Sequence, residues 1–470
     1  MHPTMDFYFT LCVMLVSLVL AFSASSSSNV PESELNALYD LYNSTQGTKW
    51  QWKDIPGTAH WNFGAGANPC NQSWEGVSCD LITSATVTFR YVTKLILPRY
   101  NLNGTIPSSI GDFSKLEYLE LADNTISGTV PVSISKLDQI VWLDLSYNII
   151  NSTIIEGITT LPHLAHLNFK ANNFSGTLPS SLGDLSAIGF IDFSDNDLTG
   201  TLPESIGKLT ALRYFSSHVN GLHGTIPDSW GNLTELLKLD LYHNYLTGTL
   251  PHTLEKCTAL IDLDMSSNYF TGTIADYVGR NMSSLRSLYL AHNRLTGTIP
   301  SNLGSLDMIE YLYLNENRLR GIVPASFAKM KNLVALLLYD NDLTGNLYNV
   351  FNATLQTQLT NLLLGYNTFT GTIPAEIVQL PALSRLEMVS NCMTGQLPVA
   401  LCNATALVTL ALDGLHTADS CRHDLFPLTS SVYVLSDPLV GGIPECIFNL
   451  PRLTTLHLSG NGLTGTLSSD

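Results

Sequence analysis

The chain has 470 residues, of which 45% are hydrophobic and only 13% charged, a balance that excludes a disordered polymer. A formal net charge of -17, with Lys and Arg scattered singly, speaks against nucleic acid or an anionic membrane surface as partner. Polar ligands, glycans and basic peptides stay open.

Residues 7 to 22 form an apolar run closed by Ala21, Phe22 and Ser23, which predicts a signal peptide over 1–23 and an exported protein, secreted or at the cell surface. An uncleaved anchor is the alternative, because His2 and Asp6 stand where Lys or Arg is usual. No later stretch reaches the length of a spanning helix. A Ser-rich leader (24–30) follows, and then a cap over 31–91. In it Leu35, Leu38, Leu41 and Tyr42 mark one helical face, and Trp50, Trp52, Trp61 and Trp74 supply apolar bulk. Cys70 and Cys79 are close enough for a small staple.

From Val92 onward one short sentence recurs with a period near 24, clearest in Leu236 to Pro251 and Leu285 to Pro300. Such a period predicts a solenoid, because one unit cannot bury its apolar side alone. Sixteen coils can be counted over 92–470, the fifteenth from Thr429 and the last incomplete. Counting from the first residue as +0, apolar residues at +3 and +5 predict a short strand, with neighbouring coils pairing in parallel. Asn recurs at +8 (Asn124, Asn148, Asn172, Asn196, Asn220, Asn244, Asn268, Asn293, Asn317, Asn341, Asn367, Asn391, Asn461), where its amide can bond to backbone groups left open by the turn. Tyr100 and Leu415 interrupt this ladder, and Asp437 keeps only an acceptor. After the Asn, Leu-x-Gly-x-Ile/Leu-Pro suggests a second small ladder, and Ser-Ile-Gly-Lys-Leu at 205–209 a 3₁₀ turn on the convex side.

The pattern degrades between Leu407 and Ser436, which predicts an irregular loop over 413–429. Near it Cys392, Cys402, Cys421 and Cys446 form bridges whose pairing stays open. Cys257 stands where sister coils have Leu185, Leu209 and Leu233 and reads as a buried apolar residue. Nine sequons, at Asn43, Asn71, Asn103, Asn151, Asn173, Asn232, Asn281, Asn352 and Asn403, are candidate glycosylation sites. The last coil stops at Asp470 before its Pro, as a piece of a longer chain would.

These units resemble the plant-type leucine-rich repeat, LxxLxLxxNxLxGxIPxxLGxL. The segment from Leu35 to Tyr42, with Trp61 and Cys70 to Cys79, resembles its N-terminal cap. The longer insert holding Trp50 and Trp52 looks more like versions from algae or other protists. The resemblance implies an α/β solenoid, a right-handed superhelix with a parallel β-sheet on its concave face and short 3₁₀ or helical convex segments. It also implies binding of peptides, hormones, glycans or proteins on the concave or lateral face, as in receptor ectodomains, receptor-like proteins or secreted hydrolase inhibitors.

The outward strand positions are then the candidate ligand surface. Tyr118, Trp142, His166, Phe190 and Tyr214 form an aromatic stripe at +2. Glu120, Asp144, Asp192, Asp240 and Asp264 form an acidic one at +4, continued by Tyr289, Tyr313, Leu337 and Leu363, with Tyr339 and Tyr366 nearby. Such tracks suit a basic peptide or sugar rings on aromatics, and the later part an apolar hot spot. His218 and His243 could approach each other, but no catalytic or metal motif accompanies them and no cofactor is indicated. The expected function is an extracellular, non-enzymatic recognition module for a peptide, protein or glycan, possessing no nucleic-acid partner. Rival readings are an inhibitor of a secreted cell-wall hydrolase and an adhesion or wall scaffold.

Overall fold

The computed structural model describes residues 30–83, 88–414 and 439–465. The expected signal peptide, and Leu415, Cys421 and Asp437, lie outside the described residues. Two compact units are formed, one up to Ser175 with Leu185–Ile188, the other of Gly176–Asp184 and the chain from Gly189 onward.

In the first unit, helix α1 (Glu32–Ser44) buries Ala37, Leu38 and Leu41 and packs on the 3₁₀ turn Ser108–Asp112. Strand β1 (Val77–Thr83) pairs antiparallel with β2 (Thr88–Ile96), and β2 pairs in parallel with the next coil at Tyr118–Glu120. Trp142–Asp144 and His166–Asn168 continue in the same register. The cap satisfies what the first coil leaves open. Glu34 Oε2 accepts the Val92 amide at 2.8 Å, and Thr45 O accepts that of Asn103 at 3.0 Å. Tyr100, in place of a ladder residue, turns its buried ring inward and donates its hydroxyl to Glu75 Oε1 at 2.7 Å. Trp50, Trp61 and Trp74 are buried and pack edge-on or stacked with Tyr42 and Phe63. Cys70 and Cys79 are joined.

In the second unit the coil strands run from Phe190–Asp192 to Thr455–His457, each pairing in parallel with the next. Among the described residues the first unit holds four coil strands besides β1 in the cap, and the second holds eleven. Apart from β2, each occupies +2 to +4, one residue earlier than the apolar alternation suggests. The leucine at +5 is buried just past the strand end, as at Leu145 and Leu241. The second ladder also forms, joining for example Asp197–Thr201, Gly221–Gly224 and Tyr245–Leu246. Convex segments are 3₁₀ turns such as Glu204–Lys208, with short α-helices at Tyr277–Asn281 and Ala375–Val378. At Gly207 a Cβ would stand 2.3 Å from the Ser229 carbonyl oxygen, so only glycine lets adjacent turns meet.

The asparagine ladder is the internal frame. Asn148 Nδ2 donates to Leu121 O, Leu145 O and Ser146 O at 3.0 to 3.1 Å, and its Oδ1 accepts the Ile126 amide at 2.9 Å. Asn244 and Asn341 repeat the pattern. The residue before each Asn takes a left-handed conformation, including Tyr147 (φ 53°), Val219 (φ 52°) and His243 (φ 55°). That reversal swings the Asn inside while the same residue's amide reaches the next coil, as Val219 N does to Tyr242 O at 2.8 Å. A side chain with a Cβ is strained there by roughly 1 kcal/mol. Cys257 is buried, and burial pushes its thiol up to about 11.

The fifteenth coil expected from Thr429 begins outside the described residues. Thr409–Ala411 pairs directly with Thr455–His457, and Asn461 Nδ2 reaches Leu412 O at 2.8 Å. No strand therefore lies between these two in the sheet, and fifteen coil strands stand among the described residues. Residues 439–450 complete the coil begun at Leu407: Gly441 takes the positive φ of its equivalents, and Glu445–Asn449 is the convex turn. Cys402 and Cys446 are bridged, which staples this turn to the preceding one, and Cys392 is also disulfide-bonded.

Candidate functional site

In the first unit the +2 residues stack on each other across coils. Trp142 lies over His166 at 3.4 Å with parallel planes, and Tyr118 lies 6.4 Å from Trp142. Lys94 Nζ closes the far end, 4.4 Å from the Tyr118 centroid. The ring faces are thus occupied by one another, and edges point outward. Burial pulls His166 down to about 4, so its imidazole is neutral at ordinary pH. In the second unit Phe190 and Tyr214 make a similar stack at 4.3 Å, with Lys238 Nζ 5.6 Å from Tyr214.

The acidic row is more withdrawn than its strand position suggests. Asp144, Asp192 and Asp240 are buried, while Glu120 and Asp264 are half-buried. The cause is local. Asp144 Oδ1 accepts both the amide (2.9 Å) and hydroxyl (2.6 Å) of Ser146, and Oδ2 accepts Asn168 Nδ2 at 3.0 Å. Asp192 and Asp264 bind Ser194 and Ser266 in the same way. Lys238 Nζ sits 3.5 Å from Asp240 and 3.7 Å from Asp262. Burial, with smaller repulsion from Asp240 and Asp262, pushes Asp264 up to about 6 against the opposing bonds from Ser266. Burial first, then Asp144, raises Glu120. The imidazoles of His218 and His243 each pack against the Tyr242 ring, at 6.4 and 5.6 Å, and His218 Nε2 lies 4.0 Å from Asp195.

Further along, Tyr289 and Tyr313 tilt against each other at 4.8 Å, and burial lifts the Tyr289 hydroxyl to about 12. Beyond them the surface opens into a hollow of about 380 Å³ lined by Leu337, Tyr339, Leu363, Gly365, Tyr366, Arg385, Glu387 and Val389. Leu337 and Leu363 form its floor at +4. At +6, Gly365 stands between Tyr339 and Val389 and leaves depth where a side chain would fill it. Tyr366 is 60% exposed, and Arg385 Nε bonds Glu387 Oε1 at 2.6 Å on the rim. The sequence pattern singled out Leu337, Leu363, Tyr339 and Tyr366 and missed Gly365, Arg385, Glu387 and Val389. Equal offsets in successive coils were the signal that could have found them.

Eight sequon asparagines are exposed, and none of the nine lies on a coil strand of the large sheet. Asn352 is half-buried, its Oδ1 accepting the amides of Thr354 and Leu355. No helix among the described residues is long and apolar enough to cross a membrane.

Models described as leucine rich repeat match residues 90–150 and 283–343, and 163–185, 189–209, 235–257 and 452–470. A nodulation receptor kinase of Pisum sativum is 45% identical over 51 residues, 11% of this chain and 5% of that protein. The solved plant peptide hormone receptor RGFR1, in complex with RGF2, superposes with a TM-score of 0.72 at 30% identity, over 83% of this chain and 60% of that one. The Arabidopsis receptor kinase HAESA, in complex with the peptide hormone IDA and the co-receptor SERK1, gives 0.71 at 28%, over 93% and 71%. The chain thus spans a small part of that kinase and about 60% of the first of these ectodomain structures. The algal or protist origin suggested by the cap insert finds no support in these relatives. The chain thus carries leucine-rich repeats and is similar to the plant receptors that share this repeat.

Proposed function

We propose that this chain is an extracellular recognition module that takes a peptide or protein segment on the concave strand face, anchored in the hollow over Leu337 and Leu363. The hollow carries the reading. It joins an apolar floor to an exposed tyrosine and a rim of opposite charges, the make-up of a hot spot surrounded by polar contacts. The similarity to ectodomains solved with peptide hormones supports it. The self-stacked aromatic stripes favour peptide over sugar on this face, because a sugar ring needs a free aromatic face. The bridges Cys70–Cys79 and Cys402–Cys446 fit an oxidising, exported location. No enzymatic step is assigned.

A random peptide display library selected against the full chain tests this. Enriched peptides should bind with an apolar anchor and lose about tenfold or more in affinity against Leu337→Arg, since one buried aliphatic contact contributes about 1.5–3 kcal/mol. Peptides that bind L337R and Tyr366→Ala as well as the parent protein would refute the reading. A scaffold would show the same indifference.

A further inference from the structure

A second surface lies on the lateral side, at +9, one residue past the buried asparagine. Successive coils place Tyr245, Tyr269, Arg294, Arg318 and Asp342 there, all exposed. Tyr245 (56% exposed) stacks on Tyr269 (38%) at 6.1 Å, and the Arg294 guanidinium lies 4.5 Å over the Tyr269 ring. Neither Arg294 nor Arg318 has an acid or hydrogen-bond partner for its side chain among the described residues. Nearby acids are taken: Glu316 is 2.5 Å from His292, and Asp342 is 3.4 Å from Arg320. A chain with net charge -17 thus sets two unneutralised guanidinium groups one coil apart, about 4.8 Å in strand spacing, beside two exposed aromatic rings.

We propose that this lateral track binds a carboxylated polysaccharide, with a uronate ring on the face of Tyr245 that does not meet Tyr269 and carboxylates on Arg294 and Arg318. Charge complementarity selects an anion, and guanidinium forks match carboxylates in a bidentate way. The backbone argues against an acidic peptide. The amides of Tyr269, Arg294, Arg318 and Asp342 already donate to Leu246, Phe270, Leu295 and Leu319, so no strand can add along this edge. Only side chains are on offer, repeating once per coil, as a polymer of charged rings repeats once per sugar. The sequons Asn232 and Asn281 end convex segments, so glycans attached there point away from the track. The proposal is independent of the concave hollow.

The test is binding of the full chain to a hexuronate oligosaccharide at low ionic strength, with its methyl ester and poly-glutamate of equal charge as comparators. The free acid is expected to bind and the ester to fail. Arg294→Gln with Arg318→Gln should weaken binding about tenfold or more, two charge-assisted contacts being lost. Tyr245→Ala with Tyr269→Ala should weaken it about threefold to tenfold through lost ring contact. All four residues are exposed, so melting should be unchanged, and peptides selected on the hollow should bind these variants normally. Equal binding of poly-glutamate, or an R294Q/R318Q protein that binds as before, would overturn the proposal.

Discussion

The Tyr118–Trp142–His166 stripe at +2 and the hollow over Leu337 and Leu363 at +4 use the outward strand face of the same repeat, yet they end differently. In the first, rings lie face to face, Lys94 closes the stack, and Asp144 is consumed by Ser146 and Asn168. Its surface is already complementary to itself. In the second, aliphatic residues replace the acids and Gly365 removes a side chain, so the surface is left concave and apolar. A run of aromatics along a parallel sheet therefore marks mutual packing between coils, whereas a gap in such a run marks room for a partner.

The sharpest way to break the comparison is to attack the frame both regions share. Asn148→Ala and Asn341→Ala should each cost about 4 kcal/mol in chemical denaturation, because each strands several buried backbone groups at about 1–3 kcal/mol apiece. A loss below 1 kcal/mol would show that the ladder is not the frame.

Next comes Glu34 in the cap, whose burial pushes its carboxyl up to about 7 from 4.5 despite the bond from Val92. A folded value above the unfolded one means a stabilising contribution that is full below about pH 4.5 and lost as pH rises through 7. Glu34→Gln, which keeps the acceptor for Val92, should gain up to about 3 kcal/mol over the parent at pH 8 and nothing at pH 4. Equal denaturation midpoints at both pH values would discard this. The second unit's Leu337→Arg should not alter that pH profile.

A crossed pair addresses the two surfaces themselves. Trp142→Ala should cost about 2 kcal/mol of stability, through lost burial and stacking, and leave selected peptides bound. Leu337→Arg should lose the peptides and change stability by less than about 1 kcal/mol, its half-buried side chain facing an open hollow. Reversed outcomes in calorimetry and binding would move the ligand to the stack. The smallest effect is expected at Val219, a β-branched residue at φ 52°. Val219→Asn should stabilise by about 1 kcal/mol, seen as a raised denaturation midpoint, with peptide binding unchanged.

Coil structure was legible because period, leucine spacing and the +8 asparagine all demand one internal geometry. Cys257 was legible by position alone. The withdrawal of Asp144, Asp192 and Asp264 was also written there, in the serine two residues after each, which offers an amide and a hydroxyl to the carboxylate. That Thr409–Ala411 pairs directly with Thr455–His457 was not legible, because leucine spacing gives no sign of which strands become neighbours. The hollow depends on what Gly365 lacks relative to neighbours 26 residues before and 24 after, a relation visible only once coils are superimposed.

That pairing has an evolutionary consequence. Between Gly414 and Leu439 the chain adds length without separating the paired strands Thr409–Ala411 and Thr455–His457, and its return is held by the Gly395–Leu439 bridge and the Cys402–Cys446 link. The stack above and below closes without this added length, and each doubling of a loop costs only about 0.6 kcal/mol in closure entropy. New sequence can therefore accumulate at this one seam, or be grafted there, while the remaining coils keep their spacing.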